Sequence, residues 1–498
     1  MIASLLCASI EAQADAKDLA EPRPLGMLPN ILFIVSEDNG PELGCYGDPY
    51  VQTPTIDDLA RNGVRFERAF VPYSVCSPSR ACFLTGLWPQ QNGHLGLATH
   101  RFALYEPTPS LPSWLKLRGY ETGIIGKLHV NPERNFPWDF RAIRSANFGK
   151  RNMQSYAKKA REFFVKKREG PWYLQVNFPD AHYPLHRQQF GLPSKPLDGN
   201  DVKPLGWVGV DTPRLREFTA NYYNCMSRLD SGVKLLLDEL DKSGQRGNTM
   251  IVYIGDHGAQ FSRGKCSVYE AGLRIPMIVQ WPGHAKPGEV RNEMVSTLDL
   301  VPTMLAAADV RDQPQLPGRS LVPLLAGKTV PWRKHTFGIT TGSAPGIDFL
   351  QFSVRDDRFK LIWSPEAGAD NPFATAYRDH RNPHFLGGTT AQEIATADAK
   401  VQRAYATFHK PPEFELYDLR DDPHEFVNLA SAKEHRETRN RLLAELHAWQ
   451  KRIKDPLSDP ELRKQFVAEQ VERRDFSHRK KGFVWPYLER FRRWRANR

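Results

Sequence analysis

Cys76 lies in the stretch Val75-Cys76-Ser77-Pro78-Ser79-Arg80-Ala81-Cys82-Phe83-Leu84-Thr85-Gly86, which carries the punctuation of a short helix. A serine precedes a proline suited to the first turn, and a glycine closes the run. A thiol at such an amino terminus meets unpaired amides and the positive end of the helix dipole. Arg80, about one turn on, adds a full charge on the same face. A cysteine placed so is reactive or chemically modified; the alternative is a thiol that merely packs, since unmodified cysteines are among the most buried residues. Four further groups could share in chemistry on an anion: Glu37-Asp38, Lys127 with His129, Asp180 with His182, and Asp256-His257. Each has a bland alternative as a solvated lysine, a hydrogen-bonded histidine or a helix-capping acid.

What sets these groups apart is where they fall. Each follows an apolar run: Ile31–Val35, Thr122–Ile125, Tyr173–Phe178 and Met250–Ile254, with a fifth run at Met277–Val279. Helical patterns such as Ser110–Leu117 and Phe218–Asp241 lie between them, so the runs read as buried strands of an α/β sheet. Ligands of such sheets bind outside the carboxyl ends of the strands, and charged residues gathered at four of those ends predict one shared site. After Gly327 the pattern changes to shorter alternating segments, Leu350–Val354 and Phe359–Trp363, a polar stretch 366–400, a strand at Glu415–Leu419 and a helix from Ala432 to Ile453. The expected division is 1–28 leader or export-signal remnant, 29–335 catalytic domain, 336–470 smaller C-terminal domain and 471–498 basic aromatic tail.

Cys76-x-Pro78-Ser79-Arg80 followed by Leu84-Thr85-Gly86 resembles the signature of the type I sulfatases, a highly specific motif. The stretches 30–39, 126–129, 255–258 and 296–303 agree with it, and the resemblance spans about Pro29 to Ile453. Within the family, Gln91-Asn92-Gly93, residues 123–130, Asp139-Phe140, residues 415–418 and residues 422–425 are most similar to the heparan N-sulfatase (sulfamidase) branch. The resemblance implies an alkaline-phosphatase-like sulfatase fold: α/β, with a large mixed sheet flanked by helices and a smaller C-terminal domain with an antiparallel sheet. It also implies oxidation of Cys76 to formylglycine, whose hydrate is the nucleophile. A divalent cation, usually Ca2+, would be held by Glu37, Asp38, Asp256 and His257 together with the modified Cys76. Glu37 stands where Asp is usual and His257 where Asn is frequent; imidazole suits calcium less well than oxygen does.

The same resemblance assigns roles. Arg80 would hold the aldehyde hydrate and the metal carboxylates, and Lys127 and Lys265 would clamp the sulfate. His182 would protonate the leaving atom, and His129 would take the proton whose loss expels sulfate. Asp180, His94 and His186 are candidate substrate contacts, with a structural role equally open. The activity implied is removal of sulfate, N-linked on glucosamine, from a heparin-like glycan. An O-sulfatase on another sulfated sugar is the runner-up, ahead of a phosphatase or phosphonate hydrolase of the same superfamily. A non-catalytic polyanion-binding protein is the alternative of another class.

Composition bounds these readings. A chain of 498 residues with 40% hydrophobic and 11% aromatic content can bury a large core, which excludes a disulfide-stapled miniprotein. No run approaches the length of a membrane span, and mean hydropathy is −0.52. The six cysteines lack zinc or thioredoxin spacing and leave the compartment open. The apolar segment Ile2–Ile10 before Ala12-Gln13-Ala14 has no basic residue ahead of it, so it reads as an incomplete export signal or a simple extension, with a periplasmic or secreted location expected. The net charge of +11 is concentrated at the end, where ten basic residues stand between Arg473 and Arg498. That end reads either as a polyanion-binding tail or as a segment docked through Phe483, Trp485, Tyr487, Phe491 and Trp494. Expected partners are a sulfated saccharide and a formylglycine-generating maturation enzyme. No nucleic acid or membrane span is expected, and a homodimer is compatible with the reading.

Overall fold

The computed structural model describes residues 23–498, so most of the expected leader lies outside the described residues. Eight strands form one sheet: β1 (Asn30–Ser36), β2 (Val64–Phe70), β3 (Glu121–Gly126), β4 (Phe140–Ala142), β5 (Trp172–Asn177), β6 (Thr249–Gly255), β7 (Arg274–Gln280) and β8 (Glu289–Ser296). Their order is β4-β3-β5-β1-β6-β7-β2-β8; β7 runs antiparallel to its neighbours and every other pair is parallel. β1, β5 and β6 are buried at every residue, which is why they read as unbroken apolar runs rather than alternating ones. Helices on both faces, the longest Pro213–Lys242, complete the layers.

A second, antiparallel sheet holds β9 (Thr336–Thr340), β10 (Gln351–Arg355), β11 (Phe359–Trp363) and β12 (Phe414–Asp418), in the order β12-β11-β10-β9. The helix Arg436–Arg452 covers it with Leu442, Leu446 and Trp449, one buried stripe at helical spacing. Trp449 stacks on Phe337 of β9 at a centroid distance of 4.8 Å. Both the mixed sheet and the smaller antiparallel one are therefore as the family resemblance implies. Among the described residues no helix is long and apolar enough to cross a membrane.

The basic C-terminal segment is docked. Trp485, Tyr487 and Phe491 are fully buried. Trp485 stacks on Phe102 at 4.7 Å and donates from Nε1 to the His100 carbonyl at 3.0 Å, while the Tyr487 hydroxyl donates to the Gly93 carbonyl at 2.7 Å. Truncating a buried tryptophan removes its packing and leaves a cavity, so Trp485→Ala is expected to destabilise the fold by about 3–5 kcal/mol. Chemical denaturation reads this directly; an unchanged midpoint would show that the segment is only laid on the surface.

Two glycines let the sheet end where the chemistry begins. A Cβ on Gly126, whose φ is 93°, would sit 2.3 Å from the Asn177 carbonyl oxygen; one on Gly255 would sit 2.1 Å from that of Asn39. Neighbouring strand ends can thus close on each other immediately before Lys127 and Asp256.

Candidate active site

The order β3-β5-β1-β6 sets four strand ends side by side, and the predicted groups leave from those ends. Glu37 and Asp38 follow β1, Lys127 and His129 follow β3, Asp180 and His182 follow β5, and Asp256 and His257 follow β6. Cross-links between the loops fix them: the Glu37 amide donates to the Asp180 carbonyl at 2.9 Å, and the Asp38 amide to Asp256 Oδ1 at 3.0 Å. Asp38 and His129 are held at φ 47° and 57°, a backbone region that costs a non-glycine residue free energy and that gathers at functional sites.

Cys76 is the first residue of the helix Cys76–Thr85, which Gly86 closes with φ 71°. Its sulfur lies 3.3 Å from His257 Nε2 and 3.7 Å from Glu37 Oε2. Arg80, on the same helix and fully buried, reaches Glu37, Asn177 Oδ1 at 2.7 Å and Asp256 Oδ2 at 3.2 Å. Lys127 Nζ pairs with Glu37 Oε2 and Lys265 Nζ with Asp38 Oδ2, each at 2.8 Å. Burial disfavours the charge on both lysines. The Cys76 and Glu37 charges beside Lys127, and those of Asp38 and Cys76 beside Lys265, outweigh it and hold the ammonium forms.

The two histidines assigned to proton transfer behave the other way. Burial, reinforced by Lys265 and Lys127, pushes His182 well below the ordinary histidine value; burial with Lys127 and Arg80 does the same to His129. Both are neutral at pH 7. His182 Nδ1 lies 2.6 Å from the Tyr183 carbonyl, so that nitrogen carries the proton and Nε2, 4.0 Å from Asp38 Oδ2, presents a lone pair to the site. The ring is stacked on Phe148 at a centroid distance of 3.8 Å. His129 Nδ1 is buried without a partner.

The donor set suits a divalent cation. Ligand atoms of Glu37, Asp38, Cys76 and His182 lie within 4.8 Å of one another, as do those of Cys76, Asp256 and His257. Asp256 Oδ2 is buried and, apart from its ion pair with Arg80 at 3.2 Å, has no hydrogen-bond partner, which leaves it able to serve a cation. His257 Nε2 stands 3.1 Å from Asp38 Oδ1; although burial disfavours its charge, Asp256 and Asp38 raise its pKa to about 9. A buried imidazole driven to take a proton marks the same deficit of positive charge that a metal would fill.

Not all expected residues reach the site. Asp180 is fully buried beneath it, in ion pairs with Arg151 and, at 2.7 Å, Arg228; their charges overcome burial and lower its pKa. Arg151 in turn donates to the His182 carbonyl, so Asp180 acts on the site by positioning. His94 is fully buried, its Nδ1 unpartnered, and His186 takes the Cys225 and Arg228 side through its carbonyl. None of the three lines the cavity of about 800 Å³ above Cys76. Conversely, Asn177, Phe148, Gln260 and His384 stand at the site or on that cavity and escaped the sequence reading. His384 comes from the polar stretch 366–400, whose composition says loop and nothing more.

Residues 29–310, more than half the chain, match the sulfatase family model. The chain belongs to the sulfatase family. Residues 255–368 of this sulfatase also match the model described as "N-sulphoglucosamine sulphohydrolase, C-terminal". It is 32% identical to human N-sulphoglucosamine sulphohydrolase over 86% of its own length and 91% of the relative's. An ulvan-active sulfatase of Formosa agariphila is 28% identical over 86% and 82%. Among solved structures, one in complex with D-glucosamine-2-N,6-O-disulfate superposes with a TM-score of 0.65 at 19% identity, covering 86% of this sulfatase and 98% of that chain. The phosphonate monoester hydrolase of Agrobacterium radiobacter gives 0.64 at 18%, covering 85% and 96%. These two likenesses establish the shared fold. The resemblance to the sulfamidase branch read from the motifs thus agrees with both sequence comparisons.

Proposed function

We propose that this sulfatase hydrolyses the N-linked sulfate of glucosamine in a heparin-like saccharide, with formylglycine at position 76. The observation that carries the reading is the meeting of Cys76 with three buried carboxylates, Arg80, Lys127 and Lys265 at the floor of one cavity, where a sulfate can be held by cations on several sides. The N-linked assignment is supported by the human relative and by the family match over 255–368, which takes in Asp256, His257, Lys265 and the cavity-lining Ser343 to Ile347.

As a hydrated aldehyde, residue 76 supplies one hydroxyl to attack sulfur and a second whose deprotonation expels sulfate, which a serine cannot do. A divalent cation, held by Glu37, Asp38, Asp256, His257 and residue 76, supplies Lewis-acid polarisation of the sulfate oxygens. The chain's own residues do the rest. Lys127 and Lys265 turn their remaining N–H bonds to the sulfate oxygens, and Arg80 holds the Glu37 and Asp256 carboxylates in place through its ion pairs. The minor cationic form of His182, which carries a proton on Nε2 as well as the one Nδ1 keeps on the Tyr183 carbonyl, gives its Nε2 proton to the departing nitrogen. His129, neutral, accepts the proton released at residue 76. With enzyme matured by a formylglycine-generating partner, N-sulfoglucosamine should yield sulfate and free amine in equal amounts; release of sulfate without new amine would place the cleavage at an oxygen.

His257→Asn should keep the metal, because an amide oxygen is a hard donor of similar reach. Isothermal titration of Ca2+ into chelator-stripped protein should give a Kd within about tenfold of the parent. Complete loss of binding would make His257 indispensable to the metal site.

A further inference from the structure

The outermost wall of the cavity is unlike its floor. Arg474, Phe476 and Arg479 of the basic C-terminal segment line the same cavity as Cys76, together with Arg144 and Arg381. This segment lies beyond the stretch Pro29 to Ile453 that carries the family's motifs. It is held in place rather than laid over the opening. His478 is fully buried and its Nε2 lies 3.0 Å from His100 Nδ1, and Trp485 and Tyr487 anchor the chain on its C-terminal side. Phe476, 47% exposed and at φ 65°, carries the Arg479 guanidinium 4.5 Å above its ring. The Arg474 side chain is half exposed, with Asp348 at 3.6 Å as its only ion pair among the described residues.

The charge of this rim exceeds what one sulfate needs. Lys127 and Lys265 already serve the floor, and a cavity of about 800 Å³ stands in the upper part of the range that encloses drug-sized ligands, beyond the needs of a sulfated group alone. Preorganised guanidinium groups recognise carboxylates and sulfates through planar, charge-assisted hydrogen bonds.

We infer that the segment Arg474–Arg479 forms a second anion-binding subsite, which takes a carboxylate or a further sulfate on the saccharide whose first sulfate lies at Cys76. The inference rests on the reading of the substrate as a sulfated saccharide, not on the linkage of the cleaved sulfate. Substrates carrying the second anion are held more tightly, and the gain appears in KM.

The test compares kcat/KM of the matured enzyme for a singly sulfated glucosamine with that for two partners, one with an added 6-O-sulfate and one joined to a uronate. If cleavage proves O-linked, the same comparison uses singly and doubly charged O-sulfated sugars, so a failed N-sulfate reading is seen separately. In Arg474→Gln/Arg479→Gln the preference for the doubly charged substrate should fall about tenfold or more through KM, with kcat for that substrate little changed. The partner whose preference collapses identifies the second anion as sulfate or carboxylate. Arg492→Gln/Arg493→Gln removes two charges from the same segment, paired with Glu489 and away from the cavity, and should leave the preference intact. An unchanged preference in the first variant, or equal losses in both variants, would overturn the subsite; equal losses would indicate general attraction by a basic surface.

Discussion

Cys76→Ser should lose turnover by on the order of 10⁴-fold or more, because losing a nucleophile that works as part of a unit removes nearly all the catalysis the unit provides. Serine occupies the same helix terminus, 3.3–4.0 Å from His257, Glu37 and Asp38 if it sits as the thiol does, and can take up sulfate as an ester. It has no second hydroxyl from which a proton can be drawn to reverse the attachment. The variant should therefore accumulate a stoichiometric sulfo group on residue 76, visible by intact-protein mass, while releasing no sulfate in later turnovers. A preparation whose residue 76 is wholly unmodified thiol yet fully active would contradict the mechanism.

His182→Ala should lower cleavage of a sulfamate by about 10²–10⁴-fold while sparing much of the activity on an activated aryl sulfate. An amine anion is a very poor leaving group and must be protonated as the N–S bond breaks, whereas a nitrophenolate departs unaided. The pH profile carries the same signature with a definite sign. Burial and the two lysines hold the His182 pKa well below 6.5, and Nδ1 keeps its proton on the Tyr183 carbonyl, so a proton on Nε2 becomes more available as pH falls. kcat/KM for the sulfamate should rise from pH 7 toward pH 5 in the parent and lose that rise in the variant. Equal damage to both leaving groups would cost His182 its role as the acid.

The parallel core was legible because its strands are buried on both faces: β1, β5 and β6 announce themselves as apolar runs, and the residues just past them carry the charge. β2 and β8 were not legible. Arg65, Glu67 and Arg68 interrupt the first, and the second, at the sheet edge, exposes Val290 and Asn292, so neither shows a clean period. Cys76 and Arg80 could be picked out by their motif, and Lys127 and His182 because they fall just past strand ends. Asp180 satisfies the same rule, but nothing in its neighbours reveals that Arg151 and Arg228, 29 and 48 residues away, enclose it. The cavity wall was hidden for a related reason. His384 and Arg381 sit in a polar stretch, and Arg474 and Arg479 in a basic terminus, and only tertiary packing brings these onto one opening.

The central claim, hydrolysis of an N-linked sulfate, is tested most directly by comparing initial rates of sulfate release from N-sulfoglucosamine and from glucosamine 6-O-sulfate, using one preparation with residue 76 verified as formylglycine. The account predicts the faster release from N-sulfoglucosamine. Faster release from the 6-O-sulfate would remove the N-sulfatase assignment and leave a sulfatase of other linkage.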